Sequence, residues 1–352
     1  MRHFEPDYRH HHSEHLTGAA WQPACIERQT IANSGEPTGR LAVTGGDGLI
    51  AVHAPGRSEL LWQTRIQNGG LDHLGWSPDG QTLAIAGQHS RVELRDGESG
   101  EIVARPLAGR GDRSDWVTAL AWSEAGTLAV AAGKRVSLWS AAGELLADCG
   151  GATSTVNALC WSGDRLIGSQ NGGVLVWDAS GGTLQDQRRF PGPLLELAVS
   201  PDQRWIASAG FEPLCVLWQA ESDEPLSMAG FGTRVRSLSW AADSSALATA
   251  SDAEVIVWHC SGEGPAGREP LVIPFHGNRV EVLAWHPSEP WLVSADQGGI
   301  AMVCALPAGR PLMAYVDEEA LTSVAWCRDA GSSHLAITTA EGSVVTGPMP
   351  AD

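Results

Sequence analysis

The stretch Val280–Ala305, VEVLAWHPSEPWLVSADQGGIAMVCA, contains three short apolar runs separated by turns. The first run, Val280–Trp285, ends at a segment with two prolines. The second run, Trp291–Ala295, is followed by a polar turn with two glycines, and the third is Ile300–Ala305. Apolar runs separated by turns this short predict strands that pair as antiparallel hairpins. One such unit cannot bury both of its faces, so the fold requires further copies.

The first of these runs, apolar residues that end in Trp or once in Val, occurs eight times. The copies are Leu16–Trp21, Leu71–Trp76, Val117–Trp122, Val156–Trp161, Leu194–Val199, Val235–Trp240, Val280–Trp285 and Leu321–Trp326. A second and a third apolar run follow each copy, and a looser fourth run follows most of them. Because periods of about 40–45 residues are typical of propeller blades, the sequence predicts an all-β propeller of four-stranded antiparallel blades.

The net charge, the hydropathy and the cysteines limit the classes of partner and the cellular compartment that we expect for this protein. The net charge of −18 with no basic block predicts a surface that repels nucleic acid and anionic membranes. No apolar run approaches the ~18–20 residues that cross a bilayer, and the charged start does not resemble a signal peptide. The seven cysteines form no C-x-x-C pair, which predicts buried free thiols in a cytoplasmic protein. One lysine beside 22 arginines is typical of a GC-rich bacterial genome.

The order hxxLxWSPDG … LAxxG … VxLWD resembles the WD-repeat β-propeller family over the range Leu16–Gly347. The dipeptide that names the family is intact at Trp177-Asp178. His276 is the nearest match to the structural histidine of the family, and its partner aspartate is matched by Asp47, Asp252 and Asp296. Because most copies depart from the family's pattern, its hydrogen-bonded His–Asp–Ser/Thr–Trp network is expected to be mostly absent. We therefore expect the blades to cohere by apolar packing.

Two columns of side chains alternate along the first strands. Counted back from the terminal Trp, the second residue is mostly large and the adjacent one is small, as in Leu74 and Gly75. Because side chains alternate faces along a strand, the two columns face different spaces. The resemblance places the first strand beside a central channel, where crowding would select the small column. The Trp column is then expected between neighbouring blades.

The ring is expected to close through the N-terminal segment. The sequence ends within the third strand of the eighth copy, so an outer strand is missing there. We expect residues 1–15 to supply it over about Arg2–Tyr8, and residues 16–352 to form a single closed propeller. Eight blades are the preferred number, and seven blades with one copy as a decoration are the alternative.

The N-terminal segment is rich in histidine. His10, His11, His12 and His15 have spacings compatible with chelation of Zn²⁺ or a similar ion. Metal handling is therefore the alternative function, with Zn²⁺ as the candidate cofactor. The other interpretation is a solvated arm whose histidines bind nothing, and no cofactor is then required.

Two polar residues occupy the same position in their first strands. His73 and Glu196 lie three residues before the terminal position and are expected to face the channel. There they would hold water, an ion or each other, or simply be solvated. No nucleophile motif, metalloprotease motif or phosphate-binding lysine is present in the sequence, so we expect no catalytic residues and no enzyme.

The links that lead into the first strands are expected on one face of the ring. The longest and most charged of them contains Arg110, Arg113 and Trp116. A Trp beside arginines has the composition of an interface hot spot, although Trp116 alternatively caps a neighbouring blade. Further positive charge on the same face comes from Arg234, Arg236 and Arg279. We therefore predict a protein–protein interaction platform with an acidic partner segment.

Overall fold

The computed structural model describes residues 1–23, 39–54, 58–66, 69–88, 92–106, 116–220, 222–327 and 333–349. Their regular elements are strands. None of these residues belongs to a helix with the length and hydropathy that a membrane span requires.

The strands follow the eight copies of the sequence pattern. The first ones in chain order are β1 (Arg2–His3), β2 (Tyr8–His11), β3 (Leu16–Trp21), β4 (Leu41–Gly45), β5 (Leu49–Ala54), β6 (Glu59–Arg65), β7 (Leu71–Trp76), β8 (Thr82–Gly87), β9 (Val92–Asp96) and β10 (Ile102–Ala104). They are followed by β11 (Val117–Trp122), β12 (Leu128–Ala132), β13 (Arg135–Trp139), β14 (Leu145–Cys149), β15 (Ala158–Ser162), β16 (Arg165–Asp178), β17 (Leu184–Val199), β18 (Trp205–Gly210), β19 (Leu214–Gln219) and β20 (Pro225–Ala229). The last are β21 (Ser237–Trp240), β22 (Ala246–Ser251), β23 (Glu254–His259), β24 (Leu271–Ile273), β25 (Val280–Trp285), β26 (Trp291–Asp296), β27 (Ile300–Ala305), β28 (Arg310–Val316), β29 (Leu321–Trp326), β30 (His334–Thr339) and β31 (Ser343–Pro348).

The chain divides into two compact units. The N-terminal unit, Phe4–Cys149 with Thr322–Asp352, contains the four-stranded sheets β3-β4-β5-β6, β10-β9-β8-β7, β11-β12-β13-β14 and β2-β31-β30-β29. The central unit, Met1–His3 with Gly150–Leu321, contains the sheet β21-β22-β23-β24, the five-stranded sheet β1-β28-β27-β26-β25 and a six-stranded sheet from β15 to β20. The prediction of four-stranded antiparallel blades is confirmed, and β1 is an added strand that pairs parallel with β28.

The strand pairing of the described residues gives seven sheets, not the preferred eight separate blades. The fourth and fifth sequence copies share the six-stranded sheet, because β17 is continuous from the outer strand of one copy into the first strand of the next. Its first part pairs with β16, and its second part, from Leu194, pairs with β18. Seven, the alternative number, is thus the number of sheets, although no copy is left outside them as a decoration.

The apolar core lies between consecutive sheets within each unit. Between the sheets of β3–β6 and β7–β10, the side chains of Ile50, Leu71 and Leu83 pack together with Trp76. In the central unit, residues of β22, β23, β25 and β26 form a comparable cluster. Because both faces of these sheets are covered, second strands such as β4 are buried at every position, and β4 begins with a run of three apolar residues.

The Trp column joins neighbouring first strands, as the sequence predicts. The indole Nε1–H of Trp76 donates to the carbonyl oxygen of Ala20, and that of Trp122 donates to Gly75, both at 3.0 Å. Trp21 donates in the same way to Ala325, and Trp285 donates to Ser239. Each indole therefore donates its N–H to the preceding first strand and satisfies its own polar atom, and the rings of Trp21 and Trp76 are buried there.

The residues before the terminal Trp are small for a different reason from the predicted crowding at a channel. A Cβ added at Gly75 would lie 3.4 Å from the indole of Trp122, and one added at Gly18 would lie 2.7 Å from a methyl group of Leu74. Gly75, a member of the small column, thus faces the next sheet and makes room for its Trp. Gly18 lies two positions before the small column on the same face of its strand and makes room for Leu74. The interpretation that the small column faces the channel is wrong for these positions.

The N-terminal segment provides the outer strand of the last sheet over Tyr8–His11, not over Arg2–Tyr8. Strand β2 pairs antiparallel with β31, from Tyr8 opposite Thr346 to His11 opposite Ser343. The next residue, His12, donates its backbone N–H to Gly342, and Gly342 has a φ of 107° at which a Cβ would collide with the carbonyl of His12. Gly48 and Ile66 repeat this arrangement after β6.

Candidate interaction site

Three arginines lie together at the start of two neighbouring first strands of the central unit. Arg236 immediately precedes β21, Arg279 immediately precedes β25, and Arg234 lies two residues before Arg236. The charges of Arg234 and Arg279 act on Arg236 and, after the larger effect of its own burial, contribute to lowering its pKa. We call these three residues the arginine cluster. Its members were predicted separately as partner-binding residues, and the structure brings them together.

Two carboxylates accompany the arginine cluster. Glu281 accepts a bond from Arg279 Nε at 2.5 Å. Burial raises the pKa of Glu196, and the positive charges of Arg234 and Arg236 oppose that rise. Arg236 itself keeps a buried Nε without a hydrogen-bond partner among the described residues. The arginine cluster therefore has three guanidinium groups and only two neighbouring carboxylates, so positive charge is in excess there.

An exposed aromatic ring extends the arginine cluster. The guanidinium carbon of Arg234 lies 5.6 Å from the ring centroid of Phe211, a distance typical of a cation–π contact. Phe211 is 61% exposed and follows directly after β18. An exposed aromatic side chain beside arginines is the composition of a binding surface and is not that of a core.

The histidines of the N-terminal segment separate into two groups. His10 and His12 point to the same side of β2, where their ring centroids lie 5.1 and 5.2 Å from that of His53 in β5. His12 Nε2 lies 3.1 Å from His53 Nε2, and the Tyr8 hydroxyl lies 2.8 Å from His53 Nδ1. These four residues form the histidine cluster, which belongs to the packing of β2 on the N-terminal unit.

The remaining two predicted metal ligands have other partners. His11 approaches the hydroxyl of Ser343 at 3.4 Å, and His15 Nδ1 lies 2.9 Å from the carbonyl of Ala340. In the part of the chain that the structure describes, no group of three or more His, Cys, Asp or Glu residues is arranged to hold a metal ion. The four histidines predicted as a set therefore do not converge, and binding of Zn²⁺ stays a prediction.

Burial keeps the histidine cluster neutral. It lowers the pKa of His53 to about 3 and that of His12 to about 4, and repulsion between the neighbouring imidazoles adds to both shifts. The pKa of Tyr8 is raised to about 12 by burial, so its hydroxyl stays protonated. Tyr8 can then donate to His53 Nδ1, and His53 can donate its Nε2–H to His12.

The histidine cluster should make the protein less stable in mild acid. An unfolded histidine takes up a proton below its ordinary pKa of about 6.5, whereas folded His53 stays neutral to about pH 3. The contribution of His53 to the free energy of unfolding is therefore present above pH 6.5 and is lost as the pH falls. We expect the loss to be about 2 kcal/mol between pH 7 and pH 5. Urea unfolding at both pH values should show this loss reduced in His53→Gln. The same pH dependence in that variant would contradict the assignment.

The other predicted site residues lie apart from these clusters. Trp116 is 57% exposed, whereas Arg110 and Arg113 lie outside the described residues. Burial lowers the pKa of His73, and the charge of Asp72 and a bond with the backbone of Val117 oppose the shift. Since Val117 begins the next first strand, His73 faces that strand. The channel position of His73 and Glu196 stays a prediction.

Three members of the family's polar network, a histidine, an aspartate and a serine, are joined in the central unit. His276 Nδ1 lies 2.9 Å from a carboxylate oxygen of Asp296, and its Nε2 lies 2.7 Å from the hydroxyl of Ser294. The side chains of His276 and Asp296 are fully buried. A fragment of the same network joins Trp258 Nε1 to the Thr249 hydroxyl at 3.1 Å.

The sequence interpretation did not identify three residues of these sites. His53 lies in the apolar run LIAVHA of β5, and its being the single polar residue of that strand is the signal that could have found it. Phe211 stands in a turn between two strands, where an aromatic residue is unusual. Glu281 is two residues from Arg279, and this spacing places both side chains on one side of the extended chain.

Within each unit, antiparallel sheets that follow one another along the chain and pack face to face have the arrangement of propeller blades. Family models match two parts of the chain: the anaphase-promoting complex subunit 4 WD40 domain over residues 41–125, and the WD domain, G-beta repeat, over residues 226–259. Together with the four-stranded antiparallel sheets, these matches confirm the predicted resemblance of the chain to the WD-repeat β-propeller family.

Curated relatives match parts of the chain at low identity. Telomerase protein component 1 of Mus musculus is 24% identical over 71% of this chain and 10% of its own length. Protein FIZZY-RELATED 2 of Arabidopsis thaliana is 29% identical over 52% of this chain and 38% of its own. Protein LST8 homolog of Drosophila melanogaster is 27% identical over 52% of this chain and 61% of its own. The chain thus spans between a tenth and about three fifths of these relatives.

Solved structures share the fold over nearly the whole chain. The computationally designed Ika8 protein has a TM-score of 0.79 and 17% identity, and covers 98% of this chain and 99% of its own. Saccharomyces cerevisiae Sqt1 has a TM-score of 0.79 and 12% identity, with full coverage of both chains. At these identities the likeness shows the fold alone.

Proposed function

We propose that the chain is a non-catalytic interaction platform that binds the acidic segment of a protein partner at the arginine cluster. The observation that carries this proposal is the local charge. Arg234, Arg236 and Arg279 outnumber the two carboxylates near them on a protein of net charge −18. A positive site on an acidic surface attracts an acidic partner and repels other parts of the same protein.

The chemistry of the cluster supports recognition of carboxylates. Guanidinium groups bind carboxylates through two parallel N–H···O bonds, and Arg236 has a buried Nε that no described residue engages. The ring of Phe211 offers apolar area beside these donors. We propose that the partner segment places acidic side chains on the arginines and an apolar side chain on this ring.

Trp116, with Arg110 and Arg113, is a further proposed contact of the platform. The exposure of Trp116 supports this role, since hot spots are enriched in Trp and Arg. The name of one matching family model describes a subunit of a complex, which supports a platform over a catalyst. We also propose that the protein acts in the cytoplasm, and the free thiols of the six described cysteines support this.

Binding of a fluorescein-labelled hexaglutamate peptide tests the arginine cluster. We expect anisotropy titrations to show at least about tenfold weaker binding by the double variant Arg236→Gln/Arg279→Gln, because the charge-assisted bonds are lost. Binding by the wild-type protein should also weaken as salt rises from 50 to 300 mM.

The double variant Arg204→Gln/Arg268→Gln is the matched control for this titration. Both residues are exposed in the same unit, and their replacement changes the net charge by the same amount. The control should keep wild-type affinity. If both double variants bind the peptide equally well, the arginine cluster is not the acidic-segment site.

A further inference from the structure

A cleft of about 520 Å³ lies in the central unit between the sheets of β21–β24 and β25–β28. This volume is within the range of sites that bind small ligands and side chains. Its apolar wall is formed by Ala246, Val257, Trp285, Leu306 and Pro307. Trp285 is only partly buried: its Nε1–H donates to the carbonyl oxygen of Ser239, and its side chain lines the cleft.

Two carboxylates line the same cleft. Asp243 accepts bonds from the backbone N–H and hydroxyl of Ser245 at 3.0 and 2.7 Å, and these bonds hold its pKa below the usual value. Glu289 is exposed at the other side of the lining. The lining includes neither lysine nor arginine. The cleft therefore combines an aromatic and aliphatic wall with uncompensated negative charge.

The position of these carboxylates separates the cleft from the arginine cluster. Arg236 and Arg279 precede β21 and β25, whereas Asp243 and Glu289 follow the same two strands. The two first strands thus carry positive charge at their beginnings and negative charge at their ends. A ligand selected by one end is repelled by the other, so the cleft requires its own, oppositely charged ligand.

We propose that this cleft is a second peptide-binding site, which takes an arginine side chain and a neighbouring apolar side chain from a partner protein. The guanidinium group fits both parts of the lining, because it bonds to carboxylates at its edge and stacks on an aromatic ring with its face. Asp243 and Glu289 receive the edge, and Trp285 receives the face. The apolar neighbour packs on Leu306 and Pro307.

Calorimetric titration with the peptide acetyl-valyl-arginyl-amide tests the site. A matched peptide carries citrulline in place of arginine, which keeps the shape and removes the charge. We expect the wild-type protein to bind the arginine peptide at least about tenfold more tightly than the citrulline peptide. We expect a similar weakening of arginine-peptide binding in the double variant Asp243→Asn/Glu289→Gln.

The double variant Asp223→Asn/Glu224→Gln controls for attraction to the acidic surface in general. These exposed residues belong to the same unit and change the net charge equally. Wild-type affinity in this control, with loss in Asp243→Asn/Glu289→Gln, supports the proposal. Equal affinity of both double variants, equal affinity of both peptides, or no binding by the wild-type protein at 5 mM peptide would overturn it. Wild-type binding should persist in Arg236→Gln/Arg279→Gln, so the two sites can fail separately.

Discussion

Replacement of Trp76 by alanine is expected to lower the free energy of unfolding by about 3–5 kcal/mol. Its ring is 6% exposed and packs with Leu71 and Leu83 between two sheets of the N-terminal unit. The substitution leaves a cavity at this position and also removes the indole bond to Ala20. Urea unfolding of the purified protein, followed by circular dichroism, measures the loss.

Two further variants serve as comparisons for the stability loss in Trp76→Ala. Trp76→Phe keeps most of the ring packing and loses the N–H donor, so its cost should be clearly smaller than that of Trp76→Ala. Trp116→Ala removes the same atoms from an exposed position and should change stability by no more than about 0.5 kcal/mol. A loss below about 1 kcal/mol for Trp76→Ala would show that the Trp column does not hold the sheets together.

Replacement of His276 by alanine should cost a similar amount, about 3–5 kcal/mol, for an electrostatic reason. The imidazole bonds both Asp296 and Ser294, and Asp296 is fully buried. Without His276, one oxygen of this carboxylate has neither its bond nor access to water, while the other still accepts from the backbone of Gly298 and Ile300. Equilibrium unfolding measures the change.

His3→Ala is the control for the His276 prediction, since His3 is exposed in the same unit. It should be neutral within about 0.5 kcal/mol. The double variant His276→Ala/Asp296→Asn should recover part of the stability, because the buried charge is then removed together with its partner. A double variant no more stable than His276→Ala would mean that lost packing, and not the unpaired carboxylate, sets the cost.

The repeat pattern was sufficient to predict the strands and the role of the Trp column. Alternation shows which side chains share a face of a strand, and it placed Trp76 and Leu74 together. It does not show what lies opposite that face, and therefore Gly75 was assigned to a channel although it faces Trp122. Only the packing of neighbouring sheets shows whether such a residue faces a channel or the next sheet.

The candidate sites were predictable only in part, because they join residues that are distant in sequence. His12 and His53 lie 41 residues apart and meet only when β2 is in place. The histidine run therefore indicated a metal site, whereas half of its predicted ligands pack against β5. The arginine cluster was foreseeable, since Arg236 and Arg279 occupy the same position before their strands. Phe211 belongs to another sheet and could not be assigned to them.

The pairing of β2 with β31 has a consequence for how the protein folds during its synthesis. His11 and Ser343 are 332 residues apart, so the ribosome makes one partner long before the other. At about 5–20 residues per second, the nascent chain carries an unpaired β2 for roughly 20–70 s. During this time Tyr8 and Phe4, which end up buried, are open to chaperones and to other chains. The last sheet is therefore the step at which translation speed and chaperone supply act on the yield of native protein.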